Sequence, residues 1–413
     1  MPSLITWFQD HPRRAAWLAA AALLILAFAI YGQTLNNGWV IAPEDDEVWL
    51  SMIKGAGLAD IPSWFVSQPA FFYRPVARVS FYLDYLVWGD NPFGFRLTQL
   101  LLYVAAAAAL GWLMHEVTRS RLAGFCAASL YVAYPRNWEV AYWVSTRADV
   151  LAALFALASL ALLARAGRKR RLACWLGAMA CAAAALFSKE VALALPLLVL
   201  VWAAIASPPL RKAGYHWAWA GITFAVLLAM AAGYWTLRSA ATPMGTEHVS
   251  EFARLDIPLL KALRWGGSWW YRPLVLDSYY IRRGVVPGGA VLLVDPARFV
   301  QFWGTLAVWA GALVLAFVRA PRPALMFFAF HALAALPAAG EIAHVPFRRF
   351  FYLPVAGDQA LTALVLWVAL VWCRERWPRW GWAALSPYVA LLAVFAWGAA
   401  ARAAGLGPRL FGR

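Results

Sequence analysis

The sequence predicts an all-α polytopic membrane protein. Of its 413 residues, 63% are hydrophobic and 14% charged, against about half and a quarter in soluble domains. Mean hydropathy is +0.63. Apolar runs of about 17 to 22 residues recur along the chain, long enough to cross roughly 30 Å of hydrocarbon at 1.5 Å per residue. A soluble globular domain is excluded.

Eleven spans are expected, at about 15–33, 97–114, 121–134, 149–165, 172–188, 190–206, 217–237, 299–318, 324–338, 350–373 and 382–401. The first follows Arg13 and Arg14 and enters an acidic loop with no small-residue cleavage pattern, so it reads as a retained anchor. The connector Arg165–Arg171, RAGRKRR, carries five basic residues and no acid. Arg211/Lys212, Arg319/Arg322 and Arg374/Arg376/Arg379 fall on the same side, which is therefore expected to be cytoplasmic. The N-terminus is then inside and the C-terminus outside. The two longest connectors, 34–96 and 238–298, lie in the periplasm of a bacterial envelope, the membrane being the inner one. Ile257–Tyr280 is apolar but carries Lys261, Arg264 and Arg272. Counted as a span it would invert every later loop, so it reads as interfacial or re-entrant.

With no internal repeat and no polar linker, the chain reads as a single transmembrane domain, 1–413. The net charge of +16 sits at span ends, where it suits membrane lipids rather than nucleic acid. Cys126, Cys174, Cys181 and Cys373 lie in or beside spans, so no disulfide framework is implied.

The first outer loop opens with Glu44-Asp45-Asp46-Glu47 and continues through Trp64-Phe65, Phe71-Phe72-Tyr73 and Phe81-Tyr82. Residues 62–90 are expected to form amphipathic helices at the interface, a platform for a lipid-linked substrate. Adjacent carboxylates at Asp45 and Asp46 repel one another, which prepares one of them as a general base; a solvated acidic loop is the plainer reading.

Arg74, Arg78, Arg96, Arg136, Arg147, Lys189, Arg238 and Arg348/Arg349 collect at outer span ends. They suit a phosphate or pyrophosphate, or else pair with Asp84, Glu139, Asp149 and Glu190. Glu139, Arg147 and Asp149 around Trp143 and Ser145, and Lys189-Glu190 between two spans, point to a wet functional cavity.

The six histidines show no ligand spacing and there is no Cys-x-x-Cys, so no metal site of that kind is expected. Oxygen ligands from Asp45, Asp46 and another acid would suit Mg²⁺ or Mn²⁺. No phosphate- or dinucleotide-binding glycine loop is present, so neither ATP nor a cytosolic nucleotide sugar is supported.

Collinear motifs add a resemblance. The acidic pair is followed by Phe72-Tyr73-Arg74-Pro75-Val76 with Asp84, then Trp88-Gly89-Asp90-Asn91-Pro92 with Gly94-Phe95. Tyr134-Pro135 precedes Glu139, Val140, Trp143, Ser145, Arg147, Asp149 and Leu151. Ser188-Lys189-Glu190 with Pro196 follows, and then Arg349, Tyr352, Leu353 and Pro354. From about 37 to 357 this resembles the GT-C membrane glycosyltransferases, above all the bacterial relatives of the transmembrane TPR-containing O-mannosyltransferases.

The departures are Tyr134 in place of a usual His, Arg96, Gln99 and Tyr103 where His, Asn and His are frequent, Arg348 in place of a Glu, and no TPR repeats before Arg413. The resemblance implies a GT-C-like bundle. It also implies inverting transfer of a sugar from a polyprenyl-phosphate donor to an envelope glycan, lipid or protein on the non-cytoplasmic face. A first-loop carboxylate, Asp45 in preference to Asp46, would be the base. Tyr73, Arg74, Arg147, Lys189, Arg349 and Tyr352 would bind substrate, Arg74, Arg147, Lys189 and Arg349 sharing one cavity around the phosphate. Asp84, Glu139, Asp149 and Glu190 would support them.

Two other readings remain. A flippase or transporter of lipid-linked glycans calls for inverted repeats and midplane charges. An O-antigen polymerase or ligase shares the span number but does not call for the acidic pair.

Overall fold

The computed structural model describes residues 11–39, 46–66, 73–169, 171–206, 213–241, 310–342 except 312, 352–377, and 383–410 except 384. Every regular element among them is helical. In chain order these are α1 (Pro12–Tyr31), α2 (Asp46–Ile53), α3 (Pro75–Trp88), α4 (Pro92–Thr118), α5 (Arg121–Ala133), α6 (Trp138–Tyr142), α7 (Arg147–Lys169), α8 (Leu172–Ser188), α9 (Leu195–Ala206), α10 (Ala213–Ala241), α11 (Pro321–Ile342), α12 (Tyr352–Arg376) and α13 (Ser386–Leu410), joined in places by short 3₁₀ turns. Ten expected spans coincide with α1, α4, α5 and α7–α13. The expected span 299–318 falls mostly outside the described residues, as does the re-entrant segment 257–280.

Among the described residues, five helical stretches are long and apolar enough to cross a membrane: Pro12–Thr34, Pro92–Thr118, Val144–Arg168, Trp217–Ala241 and Tyr352–Arg376. The other apolar stretches among them are shorter, Arg121–Ala133, Leu172–Ser188, Glu190–Ile205, Pro321–Leu336 and Ser386–Ala401, and local chemistry explains one stop. The residue before a proline is biased away from α geometry, so α5 ends at Tyr134-Pro135, Tyr134 being extended at φ −61°, ψ 118°.

The α4–α5 turn is built the same way, from chemistry legible in the residues. Arg119 takes a left-handed conformation (φ 63°) after α4, and the Ser120 side chain accepts the Ala123 N–H to cap α5. The two helices close on a pair of glycines: a Cβ on Gly111 would sit 2.8 Å from the Gly124 carbonyl oxygen. Small residues permit that approach in lipid, where dispersion rather than hydrophobic expulsion holds helices together. α11 crosses α12 similarly at Gly357, whose added Cβ would lie 2.8 Å from the His331 nitrogen.

The bundle has two chemically distinct ends. Glu116 pairs with Arg168, and Arg319 with Glu375, at the end where the basic connectors emerge. At the other end Gln33 reaches the Ala400 carbonyl (3.3 Å) and Gly398 abuts Pro135, bringing the C-terminal ends of α1 and α5 against the middle of α13. The described residues of the first long connector fold over this second end. Trp49, Leu50, Ile53, Trp64, Phe81 and Tyr82 form a small core of their own with Phe95, Val144, Ala148 and Leu151. The expected interfacial helices of 62–90 are therefore real in part, a 3₁₀ stretch at Leu58–Phe65 and α3, but they cap the bundle rather than float beside it. Arg78 fastens this cap, lying over the Trp64 ring at 4.4 Å and donating to the Met52 carbonyl at 2.6 Å. Burial pulls its pKa down, and Asp60 opposes the shift.

Candidate active site

The capped end holds two adjoining groups of buried charge. The first is built where α2, the N-termini of α4 and α7, and α6 meet. Asp46, 2% exposed, accepts the Ser145 N–H through Oδ1 at 3.1 Å. Two buried guanidinium groups lie within its electrostatic reach, Arg96 and Arg147, together with Tyr142. Burial pushes the Tyr142 phenol up to about 12, with Arg96 working against that rise and Asp46 adding to it.

Arg147 is fully buried, and its donors are engaged: Nη1 meets Asp84 Oδ2 at 2.5 Å and the Ser80 carbonyl at 3.3 Å, and Nη2 donates to the Phe95 carbonyl at 2.8 Å. The Phe81 ring covers its face at 4.5 Å, and Thr98 donates to the other Asp84 oxygen at 2.8 Å.

The second group forms where the segment before α3 meets the α8–α9 junction and the end of α10. Ser188 closes α8, and Lys189 is extended (φ −161°, ψ 146°), so Lys189 and Glu190 diverge from a break between two helices. Lys189 Nζ meets Asp149 at 2.7 Å. Arg74 Nη2 meets Glu190 Oε1 at 2.7 Å, and Arg238 Nη1 lies 4.0 Å from Glu190 Oε2. Three cations thus surround two carboxylates. Alongside runs an aromatic patch of Phe65, Tyr73, Phe187 and Tyr234, with Tyr73 5.7 Å from Tyr234 and 6.2 Å from Phe187. The Tyr73 hydroxyl donates to the Phe65 carbonyl at 2.5 Å.

Deeper in, Tyr352 stacks on Tyr131 at 4.9 Å and on Tyr103 at 5.8 Å, and the Tyr131 hydroxyl donates to the Tyr352 carbonyl at 2.7 Å.

Of the residues expected from sequence, the structure gathers Arg74, Asp149, Lys189 and Glu190 in one group and Asp46, Asp84 and Arg147 in the other. Tyr73 lines the second group, Glu139 is buried in α6, and Tyr352 belongs to the tyrosine stack. Asp45 and Arg349 lie outside the described residues.

Arg147 stands apart from Arg74 and Lys189: its guanidinium meets Asp84 and main-chain carbonyls inside the small aromatic core, where it links α3, α4 and α7. Among the acids expected to neutralise the outer cations, Asp84 takes Arg147, Asp149 takes Lys189, and Glu190 takes Arg74 with Arg238 further off.

Sequence reasoning counted Arg96 and Arg238 among the outer bases without giving them a site. It missed the His331–Asp358 pair (2.9 Å) between α11 and α12 altogether. Two ionisable residues in separate apolar runs were the available signal, since such groups in a span need a partner. Among the described residues no three His, Cys, Asp or Glu side chains come together as a metal site. Asp46 meets a main-chain N–H and lies within electrostatic reach of Arg96 and Arg147, while Asp45, the other oxygen ligand expected for Mg²⁺ or Mn²⁺, lies outside the described residues.

Residues 75–235 match the family model described as dolichyl-phosphate-mannose-protein mannosyltransferase. Mouse protein O-mannosyl-transferase TMTC1 is 30% identical over 154 residues, 35% of this chain and 16% of that protein. Drosophila melanogaster Tmtc2 is 28% identical over 183 residues, 37% of this chain and 19% of that protein. The chain therefore spans less than a fifth of the length of these curated relatives.

Among solved structures, the archaeal oligosaccharyltransferase AglB from Archaeoglobus fulgidus, in complex with an inhibitory peptide and a dolichol-phosphate, superimposes with a TM-score of 0.56. It shares 14% identity over 98% of this chain and 56% of that one. ArnT from Cupriavidus metallidurans gives 0.50 at 18% identity, covering 96% and 77%. The fold is that of the GT-C membrane glycosyltransferases, and the chain is a polytopic membrane protein.

Proposed function

We propose that this chain is an inverting membrane glycosyltransferase that moves a sugar from a polyprenyl-phosphate donor to an envelope glycan, lipid or protein. The reaction would take place on the periplasmic face of a bacterial inner membrane. The observation that carries the reading is one bundle end, capped by the first loop, holding a buried carboxylate next to a cationic, aromatic-lined group. The GT-C fold and the mannosyltransferase relatives support it, and the dolichol-phosphate bound by AglB suits the donor class.

Asp45 or Asp46 takes the proton of the acceptor hydroxyl, Asp45 being preferred. The acceptor oxygen then bonds to the anomeric carbon from the face opposite the phosphate, and the carbon–oxygen bond to the phosphate breaks, its electron pair leaving with the phosphate. Arg74, Lys189 and Arg349 neutralise that leaving group, so a strong general acid is not required. For Arg74 and Lys189 this asks the phosphate to compete with Glu190 and Asp149, so both carboxylates tune donor affinity. Tyr73 and the rings around it offer a surface for the isoprenoid or the sugar, while Arg147, Asp84, Glu139 and Tyr352 shape the site.

The test is transfer from polyprenyl-phosphate mannose, with envelope glycans of a deletion strain read by mass spectrometry to identify the acceptor. Asp45→Asn should lower turnover by about 100-fold or more and leave undecaprenyl-phosphate binding nearly intact, with Asp46→Asn milder. A double Asp45→Asn/Asp46→Asn variant that transfers at near wild-type rate would eliminate the mechanism.

A further inference from the structure

We infer that Arg96 is a positioning residue, one that clasps the backbone on which the Asp46 carboxylate is aimed. The inference rests on the carboxylate reading above and adds to it a residue placed by geometry.

Arg96 lies one turn into α4 and is 2% exposed. A buried guanidinium most often forks onto a carboxylate, but here each of its three nitrogens donates to a different main-chain carbonyl. Nε reaches Asn37 at 3.1 Å, Nη2 reaches Gly38 at 2.5 Å and Nη1 reaches Tyr142 at 2.8 Å. Its carbon also stands 5.1 Å over the Tyr142 ring. Asn37 and Gly38 end the turn that leaves α1, whereas Tyr142 closes α6, so one side chain ties together two segments about a hundred residues apart in sequence.

The α6–α7 segment bears directly on the carboxylate, and the exit of α1 packs against the small core beside it. Tyr142 is three residues before Ser145, whose N–H holds Asp46 Oδ1. Trp39, directly after Gly38, packs edge-on against Phe95 at 5.1 Å, next to Arg96 itself. Lysine has a single point donor and cannot span three carbonyls in this fork. Gln99, one turn further along α4, continues the arrangement by donating to the Val140 carbonyl at 2.7 Å. The N-terminal turns of α4 therefore act as a template for the exit of α1 and for the α6–α7 junction. Arg96 brings a positive charge into the electrostatic reach of Asp46 in the same act.

The test uses the full chain in lipid nanodiscs, with Arg96→Gln and Arg96→Lys beside Asp46→Asn. Hydrogen–deuterium exchange should quicken at least tenfold in peptides covering 37–39 and 142–146 of Arg96→Gln, and stay unchanged in α8. Transfer from polyprenyl-phosphate mannose should fall at least tenfold in kcat with KM for the donor within twofold, and undecaprenyl-phosphate binding should be retained. Arg96→Lys, which keeps the charge without the fork, should fold if Arg96→Gln does not, and should show the same loosening with a smaller kcat loss. Unchanged exchange in both variants overturns the proposal. So does unchanged transfer in the Arg96 variants while Asp46→Asn loses it. Full transfer by Asp46→Asn and by the double carboxylate variant would instead overturn the carboxylate reading, with the exchange result still deciding whether Arg96 clasps the backbone.

Discussion

Removing the Asp84 carboxylate should destabilise the protein far more than removing the whole pair it forms with Arg147. Arg147 has no solvent exposure and Asp84 is 7% exposed, so Asp84→Ala strands a guanidinium inside an aromatic core. It loses the 2.5 Å ion pair, and Thr98 loses the acceptor it reaches at 2.8 Å. The carbonyls of Phe95 and Ser80 remain, but they carry no net charge to answer the cation. Breaking a buried pair from one side costs about 3 to 5 kcal/mol, while exchanging both members for apolar groups of similar volume is often neutral. The expected result for Asp84→Ala is a loss of that size, at least a tenfold shorter half-life of the monodisperse form at elevated temperature. Asp84→Asn should fall between it and wild type, because it keeps the acceptor for Thr98. Asp84→Leu/Arg147→Met should recover most of the loss. The assay is size-exclusion chromatography of the detergent-solubilised protein after timed heating, since membrane proteins usually unfold irreversibly and a rate is the measurable quantity. A double variant as short-lived as the single one, or a single one indistinguishable from wild type, would refute the claim that Arg147 is spent on holding the fold.

Two further outcomes are expected. Gly124→Leu should weaken or abolish folding, because a side chain there collides with the Gly111 carbonyl on the facing helix, whereas Gly233→Ala, where nothing lies within 4 Å, should be silent; expression and thermal half-life decide it. Cysteine labelling from the two sides of the membrane should find positions near 60 and 408 accessible from the periplasm and 168 from the cytoplasm, and labelling of 168 from the periplasm would sink the proposed orientation.

Much of the fold was legible because lipid imposes a severe rule: backbone polar groups in hydrocarbon must be satisfied within a helix, so length and hydropathy of a run nearly determine the element. The segment 172–188 is read from hydropathy with the bounds that α8 shows. What hydropathy does not encode is which outer charge meets which. Arg147, Lys189 and Arg74 look alike as basic residues at span ends. Only packing separates Arg147, sealed under Phe81 and Phe95, from Arg74 beside Glu190 and Arg238. The same limit explains Arg96. Its partners are main-chain carbonyls, and a carbonyl has no letter in the sequence, so no spacing of residue types announces the clasp. The His331–Asp358 pair was legible in principle, as two ionisable residues inside apolar runs, but pairing it required knowing that α11 lies against α12.

The arrangement of the two charged groups also bears on why Asp149 and Arg147 stand two residues apart. At the first turn of α7 their side chains leave the helix in different directions, Arg147 toward α3 and α4 and Asp149 toward Lys189 on the α8–α9 junction. One helix N-terminus therefore anchors the cap that carries Asp46 and also holds the lysine proposed to meet the donor phosphate. Both anchors are ion pairs with buried members, which tolerate little change of geometry before the desolvated charge becomes costly. The separation between Asp46 and the proposed phosphate site is consequently set by α7, a rigid element, rather than by the long first loop. An inverting transfer needs this, because the acceptor oxygen must reach the anomeric carbon on the face away from the phosphate, and a small displacement of either group lowers the rate steeply.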